Sequence, residues 1–395
     1  MFKRKTTNEK NIYLQLRTEF KRLSEQFYLG SDDKYAMSVV VEPVSPNAEH
    51  SFTQFKSQIE TYVRKRSDLT DDDEDLIIRE FKPLFDPGSY DSNCSSILLY
   101  AEIDVSKQKI NDPLVIFSRQ INDTNTYIGE CYDVLPFKRH LRSIEPTLVI
   151  DFKKDEAKLL LHENHSISEL ADIRNPYHEM RRQDINQISY SQPRKGSSVF
   201  VAGISSSGEK SEEEVNVMRA FLNDIAKEIG KHEENFKRSH VLHQTKYVNI
   251  IKRYLSPSLS MTGNPFLITK FGRDVTINKA SLLEQLSELN MKLHYEEVHN
   301  EIDKASGQGA FIEGVEKVVQ NANLGKVHRL FVSRQFEDVP AYALNGNIYG
   351  ESEEGSVKLG SLACALVHKV HTFGGTVEML DPDKVDFDLA AILRY

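Results

Sequence analysis

Apolar positions along the chain follow two periods, which alternate from one segment to the next. Ile12, Leu16, Phe20, Leu23 and Phe27 recur at helical spacing and predict an amphipathic helix over residues 8 to 28. Met37 to Val41 is a β-branched run stopped by Pro43 and Pro46, which reads as a strand. Phe52, Phe55, Ile59 and Val63 predict a second helix, and Ile97 to Ile103 and Leu114 to Phe117 further strands. Beyond Pro146 the character changes. Leu148 to Phe152 and Ala157 to Leu161 predict a hairpin around Lys154 and Asp155.

Periodic apolar signal is thin from 172 to 198 and resumes with a strand at Val199 to Ala202. Ser211, with Glu214 three residues on, reads as the capping box of a long helix that buries Met218, Phe221, Leu222, Ile225 and Ile229. A helix around Val248 to Leu255 should end at Pro257, and Pro265 to Ile268 should be a strand. The last third alternates cleanly. Helical faces are predicted through Leu282, Leu286, Leu289 and Leu293, through Phe311, Val315, Val318 and Ala322, and through Leu359, Leu362, Leu366 and Val370. Gly325 and Gly374 close the last two, and Val327 to Val332 and Val377 to Leu380 are the intervening strands. The expected fold class is α/β, with an N-terminal part that mixes helix and strand as α+β.

At 395 residues the chain is too long for one ordinary core, so two or three domains are expected. Its 39% hydrophobic and 28% charged residues are the balance of a globular protein. No apolar run approaches the roughly 20 residues that span a bilayer. Polar Thr6-Thr7-Asn8-Glu9 stands where a signal peptide would be apolar, so the expected location is the cytoplasm, with no membrane partner. Cys94, Cys131 and Cys364 are far apart and odd in number, which predicts buried thiols rather than a disulfide framework. A net charge of −9 argues against a general DNA coater and requires any RNA-binding cations to be locally concentrated.

Few residues carry obvious chemistry. There is no phosphate-binding loop, dinucleotide fingerprint, HExxH or GxSxG, so no cofactor is expected. The acidic run Asp71 to Asp75 lacks the spaced ligands and glycine of a calcium loop and reads as a helix start. His368 and His371 share a helical spacing of three, as do His240 and His243; His294 and His299 do not, and none has an evident third ligand. Asp151 lies in a predicted strand without the further carboxylates a two-metal site needs. Cations gather in two places. Arg174, Arg181, Arg182, Arg194 and Lys195 lie in the long aperiodic stretch with Tyr177 and Tyr190, and Lys138, Arg139 and Arg142 lie ahead of Pro146. Arginines among tyrosines suit RNA, where guanidinium groups meet phosphates and rings stack on bases; a solvated loop is the competing reading.

Tyr295-Glu296-Glu297, Asp303 to Gly307, Phe311 to Val315 and Gly325-Lys326-Val327 resemble the start of the C-terminal domain of eukaryotic and archaeal release factors and Pelota. Phe373 to Val377 and the closing Ala390 to Tyr395 are similar to that domain's end. Met37 to Val41 with Pro43, and Val134 to Phe137, are similar to the bacterial branch of the superfamily. The resemblance implies three domains: 1–145 toward the decoding centre, 146–280 toward the peptidyl-transferase centre, and 281–395 for docking a translational GTPase, in bacteria elongation factor Tu. It implies a ribosomal partner, with rRNA contacts at Arg181, Arg182, Arg194, Lys195, Lys138, Arg139 and Arg142. A release factor of this superfamily carries a Gly-Gly-Gln tip that positions water on the peptidyl ester, and no Gly-Gly-Gln occurs here; residues 194–205 hold Arg194-Lys195-Gly196-Ser197-Ser198 and Gly203-Ile204-Ser205 instead. The expectation is therefore a non-enzymatic hibernation factor that fills the vacant A site. A Pelota-like rescue factor and a hydrolase of peptidyl-tRNA or RNA using Asp151 and a loop histidine are the alternatives.

Overall fold

The computed structural model describes residues 3–4, 12–28, 33–42, 48–66, 69–86, 94–118, 121, 124–153, 155–163, 166–175, 207–243, 248–270, 279–336, 339–352 and 354–394. The chain forms two compact units, Met1–Ser143 with Val298–Tyr395, and Ile144–Glu297.

In the first unit, β1 (Lys3–Arg4), β2 (Lys34–Val41), β3 (Ser96–Asp104), β4 (Lys109–Ser118) and β5 (Asn125–Gly129) form a sheet in the order β1-β4-β3-β2-β5. Side chains alternate across it. Tyr35, Met37, Val39 and Val41 on β2, with Ile97, Leu99, Ala101 and Ile103 on β3, pack against Phe55 and Ile59 of α2 (Ala48–Val63) and Ile77 and Phe81 of α3 (Asp71–Phe81). On the opposite face the Tyr100 ring lies 5.6 Å from Phe137 of α4 (Leu135–Ser143), and Phe137 lies 5.7 Å from Phe20 of α1 (Ile12–Glu25). Burial on both faces is why β2 from Tyr35 to Val41 is apolar but for Ser38, whose hydroxyl accepts from the Asp133 amide at 2.9 Å. The acidic run opens α3: the Thr70 hydroxyl accepts from the Asp73 amide, and the Asp73 carboxylate accepts from the Thr70 amide at 2.9 Å.

The second unit is a sheet in the order β10-β9-β6-β7-β8, from β6 (Thr147–Phe152), β7 (Glu156–Glu163), β8 (Ser166–Arg174), β9 (Arg238–His243) and β10 (Phe266–Lys270). The β6–β7 hairpin is the expected one. Met218, Phe221, Leu222, Ile225 and Ile229 of α5 (Ser207–Lys231) are all buried against one face. This helix starts at Ser207, so Ser211 lies inside it rather than at its cap; Glu209 and Lys210 are good helix formers that offset Gly208 in the added turn. Pro257 does not merely stop α6 (Val248–Tyr254): it sits in the first turn of α7 (Ser256–Met261), where a missing N–H costs nothing. On the other face Val149 and Leu242 meet Leu282 and Leu286 of α8 (Lys279–Gly307).

The C-terminal part of the first unit is a sheet in the order β11-β17-β12-β16, from β11 (Phe311–Glu313), β12 (Val327–Ser333), β16 (Thr376–Leu380) and β17 (Leu389–Leu393). The closing residues Ala390 and Ala391 are fully buried in β17 between β11 and β12. α9 (Val315–Asn323) and α10 (Leu362–Thr372) accompany it, and β13 (Ala341–Leu344), β14 (Asn347–Tyr349) and β15 (Val357–Leu359) form a small separate sheet. Two expected helical positions are corrected. Phe311 is in β11, because Gly314 at φ 95 ends the strand before α9 can begin. Leu359 is in β15, and α10 starts only where the Ser361 hydroxyl accepts the Cys364 amide at 3.0 Å.

Candidate functional site

α4 carries one of the two expected cation clusters, and its position is set by packing. Phe137 and Leu141 anchor its apolar face, which leaves Lys138 and Arg142, four apart, on a common side. Both turn toward Glu378 of β16. Arg142 donates to one carboxylate oxygen, and Lys138 Nζ lies 3.7 Å from the other. Arg329 of β12 donates to Glu378 at 3.1 Å and also pairs with Glu301. The Glu378 side chain is only 6% exposed, so one carboxylate is surrounded by three cations out of water. The helix therefore directs these charges at the protein's own β16; Arg139 is half-buried on the same helix.

The same junction holds the histidine pair. His368 stacks on Phe27 with centroids 4.5 Å apart, and its Nδ1 lies 3.2 Å from the Ser24 carbonyl, which it reaches as a donor. His371 meets Phe20 edge-on at 5.5 Å. Burial, with the Lys138 charge adding to it, pushes His371 down to about 4, and burial also lowers His368. Both imidazoles are aromatic packing groups that join α1 to α10. Beside them Tyr127, Cys131 and Cys364 form a small buried cluster. The hydrogen bond that the Cys364 thiol donates to Cys131, together with burial, holds Cys364 well above its ordinary range. All three cysteines are buried thiols outside any disulfide, as expected.

In the second unit, His240 and His243 lie on β9, where a spacing of three places them on opposite faces of the sheet. His240 Nε2 is 2.8 Å from the Asn290 side-chain oxygen; burial pushes its imidazole down to about 4. Arg238 donates to the Asn290 carbonyl at 3.3 Å and pairs with Glu145 at 2.9 Å. These contacts fix α8 to the sheet. Burial raises Asp151, whose nearest cation is Lys153 at 3.8 Å. Among the described residues no group of three or more His, Cys, Asp or Glu side chains could hold a metal ion, and no helix is long and apolar enough to cross a membrane.

The second cation cluster, Arg181, Arg182, Arg194 and Lys195, lies outside the described residues, as do Val199 to Ala202 and the 194–205 stretch. One feature of the described residues was not anticipated from the sequence. The β13–β15 sheet is inserted between β12 and α10, and Asn345-Gly346, both with positive φ, is the turn signal that could have revealed it.

No family model and no curated protein matches the chain. Among solved structures it is similar to the archaeal translation termination factor aRF1 over 97% of each chain, at 13% identity and a TM-score of 0.23. It is similar to S. cerevisiae Dom34, a termination-like factor involved in RNA quality control that interacts with Hbs1, over 78% of this chain and 81% of that one (13% identity, TM-score 0.37). Archaeoglobus fulgidus Pelota is similar over 76% of this chain and 79% of its own, at 12% identity and a TM-score of 0.34. Likenesses of this size leave activity and partner to be argued from sites.

Proposed function

We propose that the chain is a ribosome hibernation factor, resembling bacterial factors of the Balon type, which fills the vacant A site and blocks tRNA entry without peptide-release chemistry. The observation that carries this reading is the missing Gly-Gly-Gln on a chain whose C-terminal third resembles release factors and Pelota. Without that tip, the family's usual route to the peptidyl ester has no group to position water. The motif segments of that third, from Phe311 to Val315 and from Phe373 to the C-terminal strand, lie in or beside one sheet, which supports treating them as one functional module.

In this reading Arg181, Arg182, Arg194 and Lys195 contact rRNA as the principal cluster. Lys138 and Arg142 contribute less, because Glu378 already neutralises part of their charge. Elongation factor Tu is the proposed delivery partner, and the cytoplasm the proposed location. Imaging the purified chain on vacant ribosomes tests the proposal: A-site density is expected, and density elsewhere or no binding refutes it. Splitting of stalled complexes into subunits would assign the chain to ribosome rescue instead. Replacing these four cations with alanine should weaken binding and reduce its dependence on salt; an unchanged salt slope would remove them from the interface.

A further inference from the structure

β12 and β16 are parallel neighbours joined through α10, and such a crossover needs only a short strand-to-helix connection, typically ~2–6 residues. Here residues 334–361 stand in that place and build the β13–β15 sheet. The sheet is firmly seated. Ala341, Ala343, Ile348 and Leu359 are buried beneath it, and the Asn323 side chain of α9 bonds the Ile348 backbone in both directions, at 2.7 and 2.8 Å. Alternation then turns Tyr342, Tyr349 and Lys358 to the outer face. In register they make one row: Tyr342 on the central strand stands directly opposite Tyr349 on one side and Lys358 on the other. Both tyrosines are half-buried.

A rigid, partly exposed pair of aromatic rings on an insertion that the sheet does not need is a recognition surface, and its electrostatics select the partner. Segment 334–361 carries five acidic residues, Glu337, Asp338, Glu351, Glu353 and Glu354, against two basic ones. Of those two, Arg334 pairs with Asp381 at 3.1 Å and Lys358 stands in the row itself, so that five acidic against two basic residues leave the segment at a net charge of −3. Glu351 and Glu354 are exposed on the β14–β15 connection. Phosphates would be repelled there, whereas guanidinium and ammonium groups gain from both the carboxylates and the ring faces. We propose that the outer face of the β13–β15 sheet docks a basic, Arg- or Lys-rich polypeptide segment, with its cations over Tyr342 and Tyr349 and beside Glu351 and Glu354. The inference stands without the ribosomal reading.

The full chain is titrated into a fluorescein-labelled Arg-Gly repeat peptide and followed by anisotropy, in parallel with a Glu-Gly peptide and a U-rich single-stranded RNA. Binding of the Arg-Gly peptide is expected, with little binding of the Glu-Gly peptide. Tyr342→Ala should weaken it about two- to five-fold, whereas Tyr342→Phe, which keeps the ring, should leave it intact and serve as the control for folding. The Glu351→Gln, Glu354→Gln double variant should weaken binding and flatten its salt dependence. Absence of peptide binding, or binding indifferent to Tyr342→Ala, overturns the proposal. So does RNA binding that falls with Tyr342→Ala, which would assign the face to nucleic acid.

Discussion

Glu378 offers the sharpest test of what joins the N-terminal helices to the C-terminal sheet in the first unit. Glu378→Gln keeps the shape and one acceptor oxygen but removes the charge that Lys138, Arg142 and Arg329 share. Removing one partner of a buried ion pair costs about 3–5 kcal/mol, because the opposite charge stays behind unpaired. The partners here are 16%, 17% and 29% exposed, so water can rescue part of the loss, and about 3 kcal/mol is expected. Glu301 supplies the internal control. It pairs with the same Arg329 but is 48% exposed, so Glu301→Gln should cost less than about 1 kcal/mol. Urea unfolding, followed by hydrogen exchange of the β12 and β16 amides, reads the first unit separately from the second. With a slope near 3 kcal/mol per molar, Glu378→Gln should lower the midpoint by about 1 M. A shift under about 0.3 M, or an equal loss from Glu301→Gln, would show that the network is a surface arrangement of little energetic weight.

Three further outcomes are expected. His240 and His371 sit at about 4 in the folded protein, below the ordinary 6.5, so the unfolded chain binds protons first as pH falls. Their stabilisation is complete above pH ~6.5 and is lost toward pH ~4, up to about 3 kcal/mol each; urea midpoints at neutral and acid pH measure it, and His240→Gln should flatten the response of the second unit. A methyl group at Gly375 would lie 2.6 Å from Val370 Cγ1 and 2.9 Å from the Val327 carbonyl oxygen. Gly375→Ala should therefore cost about 1–3 kcal/mol, and an unchanged thermal midpoint would show that this turn yields freely. Buried, with its thiol pushed up, Cys364 should resist iodoacetamide in the native protein and react once urea exposes it; rapid native labelling, read by mass spectrometry, would contradict the burial.

Most of the elements are legible one at a time, because helix and strand periodicity is a local property. The α5 face from Met218 to Ile229, the β6–β7 hairpin and the acidic start of α3 follow from spacing and capping chemistry. The misplacements cluster at element ends. Phe311 and Leu359 fit a helical period by count, yet a positive-φ glycine and a serine cap set the boundaries after them. The β13–β15 sheet is too short for periodicity to show, and only its Asn-Gly turn betrays it.

The histidine and cation clusters were legible as residues but not as roles. A spacing of three serves equally a metal ligand pair and a packed aromatic pair, and what decides between them is the chain opposite. Phe20 and Phe27 meet His371 and His368 only after folding. Arg142 and Glu378 are 236 positions apart, so no local pattern could pair them. The sequence by itself determined the α/β elements, the buried thiols and the absence of a Gly-Gly-Gln. Only the tertiary structure decided that α4 spends its charge on β16 and that two tyrosines share one outer face. Periodicity is written in neighbours along the chain, whereas an ion pair or an aromatic row depends on which strands and helices come to lie side by side.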